Sequence, residues 1–344
     1  MNSFTALLPE IFDYFREAEL AADLRQRTLS LGDRKIFITY SSEILEANLF
    51  KSFEHLESIR DNAAPSFLIF GCDGNVLSRD FPGGAHMEEF LAGDKKLLTY
   101  NAGTIHALYN ADSRVFSLID IAASRGWYYL PQASDVPYYE KAAPMRMLLH
   151  WWCEMVGWVL VHAAAVGRNS RAVLLAGRGG TGKSTTALLA AQGGFSFLGD
   201  DYVVLAKTDR LSVLSIYNSV KFKWELLQRL QSIETFSLNS PQNDEKGYFY
   251  LHQTHPDSLA RTLPLTTVLL PSIEHHDKTT FIRVSSAKGL ISLAASSIFQ
   301  MPGSGKSTLK RLAEFLIDTP VYQMSLGIDN EEISQALKDF LASV

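Results

Sequence analysis

The chain has 344 residues, 47% hydrophobic and 20% charged, the balance of an ordinary soluble globular protein with room for two domains. Its formal net charge of −5 and pI near 6.0 provide no broad basic surface, which argues against nucleic acid or an anionic membrane as the main partner. Cys72 and Cys153, the two cysteines of the chain, support neither a disulfide framework nor a cysteine-based metal site, so a reducing cytoplasm is the expected compartment.

The opening MNSFTALLPEIFDYFREAEL lacks a basic leader and an unbroken apolar core, and predicts an amphipathic helix rather than a signal peptide. Strands are expected at 35–40 (KIFITY) and 66–70 (SFLIF), then in TIHALYN and RVFSLID around the turn Ala111-Asp112-Ser113. Residues 1–140 therefore read as a small α+β domain. The proline-containing stretch Pro131 to Pro144 marks the boundary to a second domain over 141–344. From Met147, MLLHWWCEMVGWVLVHAAAV is interrupted by His150, Glu154 and His162, which predicts a buried helix running into the strand VLVHAAAV rather than a membrane span. Trp151, Trp152 and Trp158 read as core anchors of that connection.

The apolar run Ala172 to Ala176 predicts a buried strand, Gly177 to Ser184 (GRGGTGKS) matches G-x-x-x-x-G-K-S, and Thr185 to Gln192 continues as an Ala- and Leu-rich helix. Strand, glycine loop and helix stand in the order a phosphate-binding loop requires. Gly177, Gly179, Gly180 and Gly182 free the backbone to turn its N–H groups inward, with Arg178, Thr181 and Thr185 completing the loop and its entry to the helix. In such a loop Lys183 reaches the β- and γ-phosphates and the Ser184 hydroxyl ligates Mg²⁺. The next short strand, FSFLG, ends in Asp200-Asp201, at the carboxyl end where open α/β sheets place their ligands. Neighbouring strand residues point to opposite sides. One carboxylate is thus expected to serve the metal and the other to accept a proton from a nucleophilic hydroxyl.

Beyond Asp201, YVVLAK predicts a strand, LSVLSIYNSVKFK a strand or hairpin, WELLQRLQSI a helix, and Asn239 to Gly247 a polar loop. LPLTTVLLP follows as a buried strand, then a helix after Ser285, a helix from Lys306 to Ile317, the strand PVYQMSL, and a last helix opened by Asp329 or Asn330, with Glu331 or Glu332 placed for a capping box. The alternation implies an α/β core. PGSGKST at 302–308 imitates a second phosphate loop, but Gln300 stands where its first glycine belongs and a helix precedes it, so an ordinary glycine turn is expected. His252 with His255, and His275-His276 with Asp277, lack partners at metal-site spacing and read as solvated loop residues. Arg178, Lys221, Lys223 and Lys246 are candidates to neutralise a transferring phosphoryl group; among the three lysines, Lys246 ranks first because it lies in the polar loop.

His162-Ala163, the loop GRGGTGKS and Gly199-Asp200-Asp201 together resemble the core of the HPr kinase/phosphorylase family, which reads His-Gly, strand, GxSGxGKS, helix, Ala-Asp-Asp. The resemblance implies a phosphate-loop kinase core related to phosphoenolpyruvate carboxykinases, use of ATP and Mg²⁺, and transfer to a serine of a carrier protein. It further implies that His162 orients an aspartate or the phosphorylated group and that Asp200 is the first choice for general base, which leaves Asp201 beside Ser184 for the metal. Thr185 stands where the HPr enzymes carry a glutamate, and their glycine- and arginine-rich downstream signature has no counterpart, which counts against phosphorolysis and against HPr as substrate. The chain is similar instead to divergent HPr-kinase-like proteins, some of which phosphorylate the C-terminal serine of a lasso-peptide precursor. The expectation is an ATP- and Mg²⁺-dependent cytoplasmic kinase acting on a hydroxyl, in first place a serine of a peptide or protein, with the N-terminal domain helping to select the acceptor. A small-metabolite kinase and a non-catalytic ATP-sensing module are the readings that remain open beside it.

Overall fold

The computed structural model describes residues 3–59, 63–82, 84, 87, 92–93, 97–223, 246–298, 301 and 305–343. They form a mixed α/β protein of two compact units, Met1–Val156 and Gly157–Val344. Among the described residues, no helix is long and apolar enough to cross a membrane.

The first unit is built on an eight-stranded sheet. Arg34–Tyr40, Phe67–Asp73 and Arg125–Leu130 run parallel to one another, and antiparallel strands complete the sheet on both sides. The opening helix, Ser3–Ala21, buries Phe4, Ile11, Tyr14, Phe15 and Ala18 in one cluster with Phe70, Phe116 and Trp127 from the sheet. Its polar face stays outside, as its amphipathic spacing requires.

The break between units lies after Val156 rather than near residue 140. Pro131 to Pro144 is a packed connection: it contains the helix Tyr138–Ala142, whose buried Glu140 accepts a hydrogen bond from the Tyr128 hydroxyl at 2.8 Å. The helix Arg146–Met155 also belongs to the first unit. Its fully buried Trp152 stacks on Phe67 with ring centres 5.8 Å apart, and its Leu148 packs over Gly126 in the sheet. Aromatic burial on this scale outweighs the turn signals of the intervening prolines.

The second unit centres on a nine-stranded mixed sheet. Its long strand Thr262–His276 pairs in parallel with Arg171–Leu175 and with Val321–Gly327, and its first residues pair antiparallel with Leu211–Ser215. Alternate residues of the inner strands divide between two cores, as a period of two demands. Val166, Val173, Leu175 and Leu269 join the helices Lys183–Gln192 and Asn330–Ser343, whereas Ala165, Leu174, Val268 and Leu270 join Ser286–Ile298 and Lys306–Leu316. Each wholly buried Val, Leu or Phe contributes about 1.5–3 kcal/mol, so both layers hold the sheet firmly.

Several elements differ from expectation. VLVHAAAV is two strands, Val159–Val161 and Ala164–Arg168, separated at His162-Ala163. LSVLSIYNSVKFK also divides, with Leu211–Ser215 in the main sheet and Ser219–Lys223 in a two-stranded sheet with Lys246–Tyr250. Lys246 and Gly247 therefore open a strand rather than close a loop, while the expected helix at 224–233 and the loop residues 239–245 lie outside the described residues. Within PGSGKST, residues 302–304 also lie outside them; Gly305 caps the helix Lys306–Leu316. Asp329 caps the last helix by accepting from the Glu331 and Glu332 N–H groups at 2.7 and 3.0 Å. The Glu332 carboxylate does not close a capping box, because Thr279 occupies it through both its N–H and its hydroxyl.

Candidate functional site

Two breaks in the sheet create the site. Val161 pairs with Val203 and Ala165 with Gly199, so the two antiparallel chains keep one register on either side of a gap. His162-Ala163 crosses that gap on one chain and Asp200-Asp201-Tyr202 on the other. Released from the ladder, these residues can turn side chains toward one another while strands on both sides fix their backbones. His162 Nε2 lies 3.8 Å from an Asp201 oxygen, and its ring centre is 5.4 Å from that of Tyr202.

Beside this crossing, the strand Arg171–Leu175 delivers the chain to the glycine-rich loop, and the helix Lys183–Gln192 leaves it. Gly180 and Gly182 have φ of +84° and +101°, a region that side-chain-bearing residues rarely enter. A Cβ at Gly182 would also come within 2.5 Å of Leu326 Cδ1. Gly182→Ala should therefore lower stability by about 1–3 kcal/mol through backbone strain. Urea denaturation measures it, and an unchanged midpoint would show that the loop relaxes freely.

The Lys183 ammonium is buried against the loop's own carbonyls, 2.8 Å from Gly177 O and 3.0 Å from Arg178 O. Thr181 also donates to Arg178 O, at 3.0 Å, while the Arg178 and Gly179 residues themselves are exposed. Ser184 and Thr185 are half-buried at the first turn of the helix. This arrangement holds one cation at the mouth of a helix whose N-terminal end already favours anions.

The two aspartates have different surroundings. Asp200 is buried, accepts from the Lys221 backbone N–H at 2.9 Å, and is hydrogen-bonded to the Ser184 side chain. Its other oxygen, Oδ1, has no hydrogen-bond partner among the described residues. Burial, and next the charge of Asp201, push the Asp200 carboxyl up to about 7, against the opposing pull of Ser184 and Lys221. Asp201 forms an ion pair with Lys221 Nζ at 2.5 Å. Burial would raise its pKa, but the Lys221 ammonium and His162 outweigh that cost and hold it well below the usual carboxylate range.

Lys221 is thus the basic residue that the fold brings to the aspartates, ahead of Lys246, whose side chain is outside the described residues. No local motif marks Lys221; it arrives from the separate two-stranded sheet, and only an alternating VKFK pattern hints that it shares a face with neither Val220 nor Phe222. Ser296 and Ser297, which the sequence did not single out as Lys221 was, hydrogen-bond the His162 backbone. His276 lies 3.3 Å from Glu274, and among the described residues no group of three or more His, Cys, Asp or Glu side chains is placed to hold a metal.

No protein-family model matches the chain, and no curated protein matches it. Among solved structures it is similar to the Hpr(Ser) kinase/phosphatase from Coxiella burnetii, with 12% identity and a TM-score of 0.29 over 54% of this chain and 94% of that chain.

Proposed function

We propose that this protein is an ATP- and Mg²⁺-dependent kinase that transfers the γ-phosphoryl group to a hydroxyl, in first place a serine of a peptide or protein. The observation that carries the reading is the divided carboxylate pair beside a G-x-x-x-x-G-K-S loop: Asp200 on Ser184, Asp201 on Lys221 and His162. The glycine-rich segment is the phosphate loop, and Lys183 exchanges its two carbonyl partners for phosphate oxygens.

Ser184 and the unpartnered Oδ1 of Asp200 fit Mg²⁺, which takes hard oxygen donors, including a hydroxyl and one or two carboxylates. Bound there, Mg²⁺ would offset the negative charge on the phosphates. Asp201 takes the other duty. Kept ionised by Lys221 and flanked by His162, it orients the acceptor hydroxyl and receives its proton as the new O–P bond forms and the bond to the departing ADP breaks. A carboxylate this acidic is a weak base. Phosphoryl transfer through a loose transition state needs only late proton removal, so positioning matters more than basicity. These roles reverse the sequence expectation, which gave base duty to Asp200 and metal duty to Asp201.

A panel of serine peptides and hydroxylated metabolites incubated with γ-labelled ATP and Mg²⁺ tests the reading. Label on a peptide serine is expected. Label only on a metabolite would move the acceptor class, and ATP bound without transfer to any acceptor would contradict phosphotransfer and leave a nucleotide-sensing module.

A further inference from the structure

Where the strand breaks at His162, its peptide N–H and C=O lose their ladder partners in a buried setting, and unmet backbone groups of this kind are costly. Two consecutive serines at the end of the helix Ser286–Ile298 meet that need. Ser297 Oγ accepts from the His162 N–H at 3.0 Å, and Ser296 Oγ donates to the His162 carbonyl at 3.1 Å. Ser296 Oγ is also 3.0 Å from the Leu293 carbonyl of its own helix, and both serines are buried. The Ala163 N–H turns back to the Val161 carbonyl at 3.2 Å, which makes His162 the centre of a three-residue turn. The His162 peptide is therefore gripped on both edges by one helix, and the ring it carries faces Asp201.

We propose that Ser296 and Ser297 are positioning residues for the reaction: they fix the His162 backbone, and through it the imidazole, at the angle that sets Asp201 toward the acceptor hydroxyl. This rests on the phosphotransfer reading above. Neither serine touches nucleotide or acceptor; both act through His162. Hydroxyls suit the task because one small side chain can accept from an N–H while its neighbour donates to a C=O.

The test compares the full-length chain with Ser296→Ala, Ser297→Ala and Ser297→Cys, the last keeping nearly the same volume with only a weak acceptor. Turnover with labelled ATP, ATP affinity by equilibrium titration, and the ring NMR signals of His162 in histidine-labelled protein are measured, the NMR with and without Asp201→Asn. Loss of a serine should lower turnover about 10-fold or more with ATP affinity within about twofold, since small misplacements of reacting groups are expensive. The response of the His162 ring to Asp201→Asn, clear in the parent, should shrink by about half or more in the Ser297 variants, a change that a merely structural role would not produce. An unchanged ring response overturns the proposal whatever happens to turnover, as does unchanged turnover in an active parent. If the parent transfers no phosphate, the kinase reading fails on its own account, and the ring response alone decides whether the serines position His162.

Discussion

Asp201→Asn should reduce phosphoryl transfer by roughly 10²–10⁴-fold, the range in which a positioned general base contributes, while ATP affinity stays within about twofold. The substitution preserves the size of the side chain and removes the charge that Lys221 and His162 address. Proton acceptance is then lost, and the Lys221 ammonium loses the partner that holds it near the crossing. The glycine-rich loop and Lys183, proposed to hold the phosphates, lie on a different connection and should be undisturbed. Steady-state turnover and equilibrium titration separate the two effects. A variant that retains turnover within a few-fold of the parent would remove Asp201 from the chemistry.

The second large effect is a dependence of metal binding on pH. Asp200 carries its proton up to about 7 in the folded, metal-free chain, against an ordinary value of 3.8. A folded-state value raised in this way gives stability that is complete below about pH 4 and is lost as pH rises through 7, because the buried carboxylate must then ionise. Asp201 has the opposite sign: its depressed value adds stability above the ordinary carboxylate range and loses it only on acidification below that range. Between pH 4 and 7 the buried His150 acts with the opposite sign, because burial pushes its value down to about 4 and its contribution to stability then rises with pH. The Asp200 contribution is therefore read as the difference in stability between the metal-free parent and Asp200→Asn, which should shrink as pH rises across that window. Mg²⁺ needs the ionised carboxylate, so its affinity should rise with pH up to about 7, with release of about one proton per ion bound near pH 6. Calorimetric titration in buffers of different ionisation enthalpy counts that proton. Metal binding with no proton released near pH 6 would place the ion elsewhere.

Much of this site can be read from the chain because its central piece is local. Gly177 to Ser184 sits between an apolar strand and a helix, so sequence order alone supplies the loop, the lysine and the hydroxyl. Asp200-Asp201 follows a short apolar strand and is visible for the same reason. What the chain conceals is long-range. VLVHAAAV reads as one strand because its apolar residues continue through His162, yet Val161 and Ala164 belong to opposite parts of the sheet; periodicity carries no signal for a crossing between them. Lys221 ranks behind Lys246 among the candidate lysines, and Ser296 and Ser297 look like ordinary polar residues, until pairing brings them to Asp201 and to the His162 peptide. The domain boundary was obscured by the opposite effect, since the prolines of 131–144 signal a linker while buried Glu140, Trp151 and Trp152 tie the following residues into the first unit. Glu332 illustrates the same limit, for its spacing suits a capping box but the neighbouring Thr279 offers two donors at once.

The division of labour between the aspartates is open to direct observation. Crystals of the protein with a non-hydrolysable ATP analogue and Mn²⁺ in place of Mg²⁺ would locate the metal by its anomalous scattering. Manganese coordinated by Ser184 and Asp200, with the terminal phosphate on Lys183 and Asp201 free of metal, is the predicted result. Manganese on Asp201, or a nucleotide bound away from Gly177 to Ser184, would contradict it.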